Sequence, residues 1–145
     1  MTLYFELHPR LQQDCIFIGR FELCRLLMMN DRHYPWFILV PEIPDIRECY
    51  QLAKPQRDLL IEESCYLAEN LAWLYHADKM NIAAIGNLVP QLHLHHIVRY
   101  QIDNAWPAPV WGFAAASPYT EQQISTQLTL LRSALKHCQF DVPNL

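Results

Sequence analysis

Apolar and polar positions alternate along the first third of the chain in the way that β-strands require. Residues 15–20 and 21–29 carry β-branched and aromatic side chains between polar ones, and Gly19 lies near their junction, which predicts a hairpin of two strands. Residues 35–41 form an apolar run with a proline at each end, which predicts a buried strand with fixed limits. Ahead of these strands, the short mixed pattern of residues 7–14 predicts one or two turns of helix.

Two later segments show apolar positions at helical spacing. The first has leucine and serine positions three or four residues apart between residues 60 and 74, which predicts a long amphipathic helix from Pro55 to about residue 77. The second has apolar side chains at a similar spacing between residues 124 and 135. It predicts a C-terminal helix whose cap is Ser117 or Thr120.

Between those helices the pattern predicts two more strands around a turn. Residues 79–85 form a short strand, Gly86 and Asn87 supply the turn, and residues 88–100 alternate strongly enough for a second strand. Strands at the start, a helix across them and a helix at the end predict an α+β fold with an antiparallel sheet of about five strands. Since no internal repeat or Gly/Ser linker divides the chain, one domain over residues 1–145 is expected.

Composition restricts the classes of function. With 52% apolar and 18% charged residues the chain can form a compact domain, and a net charge of −4 without a run of Lys or Arg argues against a general binder of duplex nucleic acid. No apolar run reaches the roughly 20 residues of a membrane span, and the N-terminus lacks a basic leader, so a cytoplasmic protein without membrane attachment is expected. The five cysteines include no Cys-x-x-Cys pair, which predicts reduced thiols.

The segment richest in chemistry lies within residues 88–100, around three histidines. Because successive side chains of a strand point to opposite faces, this segment divides into two rows. One row holds Gln91, His93, His95, Ile97 and Arg99, and the other holds Leu92, Leu94, His96 and Val98. We interpret the first row as a reactive face and the second as part of the core.

His93 and His95 suit phosphate chemistry. Two imidazoles on one strand face, about 7 Å apart, can meet one phosphate between them. A neutral imidazole is a good nucleophile at physiological pH and water can later displace it, so the pair suits the making and breaking of a phosphoramidate bond. The pair can also hold a metal, as in a cupin, but that fold uses a nearby Glu and many glycines. Here no Glu follows until Glu121 and the chain has three glycines, so no metal site is predicted.

Flanking residues extend this pattern to the signature of a family. They comprise the proline-bounded strand at 35–41, Lys-Met-Asn at 79–81, Gly-Asn-Leu-Val-Pro-Gln-Leu-His at 86–93 and the Trp-Pro segment at 106–112. With them the chain resembles the histidine triad (HIT) family of nucleotide hydrolases and transferases, whose motif is His-φ-His-φ-His-φ-φ with φ apolar. The combination is similar in particular to a bacterial branch described as diadenosine polyphosphate hydrolase-like.

The resemblance implies a role for each residue of the motif. His93 falls on the middle histidine, which in the family attacks the α-phosphate and carries the nucleotidyl intermediate, and His95 falls on the third, which helps to hold the phosphate. Gln91 replaces the first histidine, whose backbone carbonyl orients the nucleophile. Gln91 keeps a carbonyl but has no titratable group, which predicts slower catalysis or a different proton transfer. His96 stands at an apolar position of the motif and is expected to face the core.

The same resemblance assigns further residues to the nucleotide. Asn30, just before the buried strand, corresponds to the residue on the ribose hydroxyls, and Asn81 and Asn87 resemble polar contacts near the phosphates. Arg99 shares the face of His93 and is expected to meet a polyphosphate. The expected lining of the base pocket is Ile18, Trp36 and Phe37.

Together these assignments predict a HIT-type nucleotide hydrolase or nucleotidyl transferase. Its substrate is expected to be a purine nucleotide with a phosphoanhydride or phosphoramidate bond, with dinucleoside polyphosphates among the candidates, cleaved through a nucleotidyl-histidine intermediate. The resemblance also implies a homodimer and a reaction that needs no cofactor, although the substrate can arrive as its Mg²⁺ complex. Two alternatives stay open: a nucleotide-binding module whose catalysis is weakened at Gln91, and an interaction protein that has kept only the fold.

Overall fold

The computed structural model describes residues 4–140, so the predicted domain limits of 1–145 extend beyond it at both ends. The strands are β1 (Cys15–Arg20), β2 (Cys24–Met29), β3 (Trp36–Pro41), β4 (Lys79–Ala83), β5 (Leu94–Arg99) and β6 (Gln139–Phe140). The α-helices are α1 (Pro9–Asp14), α2 (Lys54–Tyr75) and α3 (Glu121–Ala134), and a 3-10 turn covers Cys49–Gln51. Within the described residues, no helix is long and apolar enough to cross a bilayer.

The strands form one antiparallel sheet in the order β4-β5-β3-β2-β1-β6, which confirms the predicted α+β fold. The sheet has six strands rather than about five because the two residues of β6 pair with Gly19 and Arg20. A glycine is needed for this approach: a Cβ atom at Gly19 would lie 2.3 Å from the carbonyl oxygen of Gln139 and 2.8 Å from Cys138 Sγ.

The two faces of the sheet bury separate cores. On one face α2 and α3 pack over the strands, with buried side chains such as Phe37, Leu67 and Val98, and we call this the helix face. The opposite face carries Trp36, His95 and Ile97 and is covered by α1, the preceding residues and the 105–111 segment; we call it the histidine face. The alternation predicted for the histidine segment is therefore confirmed, since Ile97 and Val98 lie in different cores.

The apolar stripe of α2 explains how the long helix lies across the sheet. Its buried leucines are Leu60, Leu67 and Leu71, and the buried Glu63 and Ser64 lie between the first two, on the same face of the helix. The helix begins with Pro55 in its first turn and ends where His76 takes the left-handed conformation, with φ of 53°. For α3, Thr120 is the N-cap, and its side chain accepts a hydrogen bond from the Gln123 amide.

Two predicted strands begin several residues later than expected. β2 begins at Cys24 because the Phe21 amide donates to the Cys24 carbonyl, which closes a turn over residues 21–24. β5 begins at Leu94, not at residue 88, because its ladders with β3 and β4 end at Leu94 and His95. Pro90 has no N–H to extend a ladder, so the residues ahead of His93 form an irregular segment.

Candidate functional site

His93 stands just before β5 with its ring held by the backbone. Its Nδ1 lies 2.7 Å from the carbonyl oxygen of Gln91. Since a carbonyl oxygen only accepts hydrogen bonds, Nδ1 carries the proton and the lone pair is on Nε2. The residue is 6% exposed, so few ring orientations are open to it. His93 is thus prepared as a nucleophile or proton acceptor through Nε2.

His95 has the opposite tautomer, because its partner is a donor. The indole N–H of Trp36 donates to Nδ1 of His95 over 3.0 Å, and an indole nitrogen cannot accept. The proton of the neutral ring is therefore on Nε2. The rings of His93 and His95 lie edge to face with centroids 4.9 Å apart, and Trp111 packs against His95 at 5.2 Å. The site thus combines one imidazole with a free lone pair and one with a free N–H.

Burial keeps both imidazoles neutral. It lowers the pKa of His95 to about 3, and the nearby His93 and His96 act in the same direction. Burial also lowers the pKa of His93, supported by the neighbouring His8 and opposed by the hydrogen bond to Gln91. At neutral pH the nucleophilic lone pair of His93 is consequently available.

Two adjoining pockets meet at Gln91, next to His93. A small one of about 160 Å³ includes His93 and the turn at Gly86, and a larger one of about 920 Å³ lies beside the N-terminal segment. Arg47, Pro90 and Gln91 line both pockets, so the two are neighbours. The larger volume is in the range of small-molecule binding sites.

The side chain of Gln91 makes its hydrogen bonds with the N-terminal segment and not with His93 or His95. Its Oε1 accepts from the His8 amide over 2.9 Å, and its Nε2 donates to the Glu6 carbonyl over 2.8 Å. Only its backbone carbonyl meets His93. The orienting contact expected at this position is therefore present, while the amide side chain fastens two distant parts of the chain.

The assignment of Arg99 to a polyphosphate is wrong, because its guanidinium is already engaged. Arg99 is 1% exposed and pairs with both carboxylate oxygens of Asp103, at 2.8 and 3.0 Å. It also donates to Asn81 Oδ1 at 2.7 Å and to the Ala108 carbonyl at 2.9 Å. Arg99 thus joins β5 to β4 and to the Trp-Pro segment.

The three asparagines occupy different positions. Asn81 Oδ1 accepts from Arg99, and its predicted phosphate contact, which would use the Nδ2 donor, stays a prediction. Asn30 Oδ1 accepts from the Tyr119 amide and ties the segment before α3 to the end of β2. Asn87 is exposed in the turn after Gly86, which lines the small pocket. The contacts of Asn30 and Asn87 with a nucleotide stay predictions.

Two of the three residues predicted for the base pocket lie on the wrong face. Ile18 and Phe37 are buried on the helix face, because their strand positions alternate away from the histidines. Trp36 is on the histidine face, where it holds His95. The larger pocket is lined instead by Phe17 and Leu11, among others. Strand alternation separates Phe17 from Ile18, but it does not tell which one faces the histidines.

His96 is a core residue, as predicted. It is completely buried on the helix face, its Nδ1 donates to the Leu94 carbonyl, and its Nε2 lies 2.7 Å from Ser64 Oγ on α2. His8 lines the larger pocket and was not indicated by the sequence. It lies beside Gln91, 83 positions away along the chain, and no local pattern reports such a contact.

Comparisons with known proteins agree with this architecture. A family model of the HIT domain matches residues 10–102. A histidine triad protein from Marinobacter aquaeolei VT8 is 49% identical and has a TM-score of 0.91, with 94% of this chain and 99% of that chain covered. Histidine triad proteins from Bradyrhizobium japonicum (40% identical; TM-score 0.88; 90% and 98% covered) and Sinorhizobium meliloti (42%; 0.88; 90% and 96%) are also similar. No curated protein matches this sequence.

Proposed function

We propose that this chain, which belongs to the histidine triad (HIT) domain family, is a nucleotide hydrolase or nucleotidyl transferase that acts at the α-phosphate of a purine nucleotide. The observation that carries the proposal is the pair of opposite tautomers. Gln91 leaves a lone pair on Nε2 of His93, and Trp36 leaves an N–H on Nε2 of His95. A nucleophile beside a hydrogen-bond donor is what phosphoryl transfer through a covalent intermediate requires.

The first step is the attack of His93 on the α-phosphorus. The Nε2 lone pair forms a bond to phosphorus, and the bond to the leaving oxygen or nitrogen breaks with its electron pair on the leaving group, which takes a proton from solvent. In the second step a water oxygen attacks phosphorus, the phosphorus–nitrogen bond breaks, and the lone pair returns to His93. The water's proton passes to solvent, and the nucleoside monophosphate leaves.

His95 acts on the charge that develops at the phosphoryl oxygens. Its Nε2–H donates to a non-bridging oxygen, and because burial lowers its pKa to about 3 it does so as a neutral donor. Trp36 holds the ring in the tautomer that makes this possible. These groups supply nucleophile and donor without a cofactor in the proposed reaction, and the substrate can arrive as its Mg²⁺ complex.

The larger pocket is the proposed nucleoside site. Phe17, Leu11 and Leu27 give it apolar walls on the histidine face, and it adjoins the small pocket that contains His93. A nucleoside seated there extends its phosphate past Gln91 toward the imidazoles. This arrangement replaces the base pocket that the sequence assigned to Ile18 and Phe37.

Cleavage of diadenosine tetraphosphate and of an adenosine phosphoramidate tests the proposal. We expect the wild-type protein to release AMP and the His93→Ala variant to lose at least about a thousandfold in turnover, as variants lacking a nucleophile do. An acid-labile adenylyl group on the wild-type protein, absent from His93→Ala, would identify the intermediate. Tight binding of AMP with no turnover in either protein would contradict the enzyme and favour the nucleotide-binding module.

A further inference from the structure

One residue, Gln91, contacts two histidines that are far apart in the sequence: the ring of His93 and the backbone amide of His8. The backbone carbonyl of Gln91 accepts from Nδ1 of His93, and its side-chain Oε1 accepts from the amide of His8. A third bond, from Gln91 Nε2 to the Glu6 carbonyl, holds the same N-terminal segment. The orientation of His93 and the position of His8 therefore depend on the same residue.

The ring of His8 has a defined tautomer. Its Nδ1 accepts from the Arg10 amide over 3.0 Å, so in the neutral ring the proton is on Nε2. His8 and Gln91 both line the larger pocket, and His8 is only partly exposed. It is also near enough to His93 to act on it electrostatically. His8 thus has an N–H donor in the wall of the larger pocket, near His93.

On the basis of the nucleotide function proposed above, we propose that His8 is a third imidazole of the site, which binds a phosphate oxygen of the substrate through its Nε2–H. A nucleoside in the larger pocket has to extend its phosphate past Gln91 to reach His93, and His8 lies beside Gln91 on that wall. Phosphate oxygens are strong acceptors, and a donor on a firmly held segment binds them at little cost in entropy.

This role gives a physical reason for a glutamine at position 91. A side chain that both donates and accepts is needed to hold the Glu6 carbonyl and the His8 amide at once. The imidazole absent from position 91 is then supplied by His8 from a different element. His8 also caps α1 through Nδ1, so its phosphate-binding role has to be separated from this structural one.

Substitution by asparagine separates the two roles. Asparagine is a good N-cap acceptor, so His8→Asn keeps the start of α1 while it removes the imidazole. The matched control is His76→Asn, at the end of α2, because asparagine also tolerates the left-handed conformation that His76 adopts. Equal melting temperatures of the variants and wild type would show that the fold is retained.

The measurement is calorimetric binding of AMP and of adenosine. We expect wild type to prefer AMP, His8→Asn to lose about tenfold in affinity for AMP with adenosine affinity unchanged, and His76→Asn to match wild type. AMP affinity that is unchanged in His8→Asn, or an equal loss for adenosine, overturns the role of His8 alone. A wild-type protein that does not distinguish AMP from adenosine overturns the proposed function and the role of His8 together.

A second measurement needs no folded variant. In the NMR spectrum of the wild-type protein, the imidazole signals of His8 should shift on addition of AMP and stay in place on addition of adenosine. Signals that respond to neither ligand while those of His93 respond to AMP would overturn the role of His8 and leave the proposed function intact.

Discussion

At the scale of the residue, the partner of each histidine decides what it can do. A carbonyl at Nδ1 leaves His93 a lone pair, an indole N–H at Nδ1 leaves His95 a donor, and a serine hydroxyl with a carbonyl satisfies both nitrogens of His96. Three residues of one type within four positions thus differ in chemistry through their neighbours alone. Arg99 is likewise a structural residue because its guanidinium is bound to Asp103 and Asn81.

Protonation of the buried histidines should destabilise the fold in acid. Burial lowers the pKa of His95 to about 3 and of His96 to about 4, whereas in the unfolded chain both titrate near 6.5. Between pH 6.5 and 4 the unfolded chain therefore binds more protons, and the free energy of unfolding falls as the pH is lowered, by up to about 1.4 kcal/mol per pH unit for each group. Urea unfolding at several pH values measures this slope.

The contribution of His96 to this pH dependence can be measured by replacing His96 and its partner Ser64 together. The double variant Ser64→Ala, His96→Leu removes the titrating ring and the serine hydroxyl together, and only the Leu94 carbonyl loses a bond to the ring. Its stability should depend less steeply on pH than that of wild type. Slopes that are equal in the two proteins would contradict the lowered pKa of His96.

At the scale of the element, α2 does more than cover the sheet. Its buried Glu63 accepts hydrogen bonds from the Leu23 and Cys24 amides, at 2.8 and 3.0 Å, where β2 begins. Ser64, one position later, holds His96 of β5. A single turn of α2 therefore fixes a strand end and the core histidine next to His95.

Replacement of Glu63 should weaken this attachment. Glu63→Gln has one acceptor oxygen where the carboxylate has two, so one buried amide loses its partner, at a cost of about 1–3 kcal/mol. The adjacent Glu62 is exposed, so Glu62→Gln should stay within about 0.5 kcal/mol of wild type. Urea unfolding of the three proteins compares them. Equal losses of stability in both variants would mean that the hydrogen bonds from the Leu23 and Cys24 amides to Glu63 do not stabilise the fold.

The elements with strong periodicity could be predicted from the sequence, and those set by distant contacts could not. The leucine spacing of α2 and the prolines around β3 are local signals, and both elements lie within two residues of their predicted limits. The start of β5 depends on where its neighbours stop pairing, which no local pattern contains. β6 was missed because two residues carry no pattern of their own.

The same division applies to the candidate site. The alternation of His93, His95 and His96 follows from the period of a strand, so the two faces could be predicted. The pairing of Arg99 with Asp103 and the contact of Gln91 with His8 depend on the folded path of the chain. Residues whose role comes from a neighbour in space were therefore misassigned or missed.

At the scale of the whole molecule, one edge of the sheet is open. β4 pairs with β5 on one side and has no partner on the other within residues 4–140. It carries Ile82, which is 47% exposed, and Ile85 just beyond it is 41% exposed. An unprotected edge with apolar side chains is a surface on which a second sheet can pair. We propose that the homodimer implied by the family resemblance joins two sheets along β4.

Size-exclusion chromatography with light scattering tests that dimer. Wild type should have twice the mass of the chain, and Ile82→Lys should have the mass of one chain, because a charge on the edge opposes pairing. The control is Ile102→Lys, on a loop where Ile102 is 95% exposed, and it should remain a dimer. A monomeric wild type, or a dimeric Ile82→Lys, would exclude this interface.

The two hydrogen bonds between Gln91 and the N-terminal segment also affect how binding experiments should be designed. Tyr4, Phe5 and Glu6 are part of the pocket wall, and this wall is fastened through the Glu6 carbonyl and the His8 amide. Because these residues line the proposed nucleoside pocket, we expect an N-terminal affinity tag to change the apparent affinity for a nucleotide. Protein for binding work should be purified with a removable leader, and results from tagged and untagged material should be compared before any constant is interpreted.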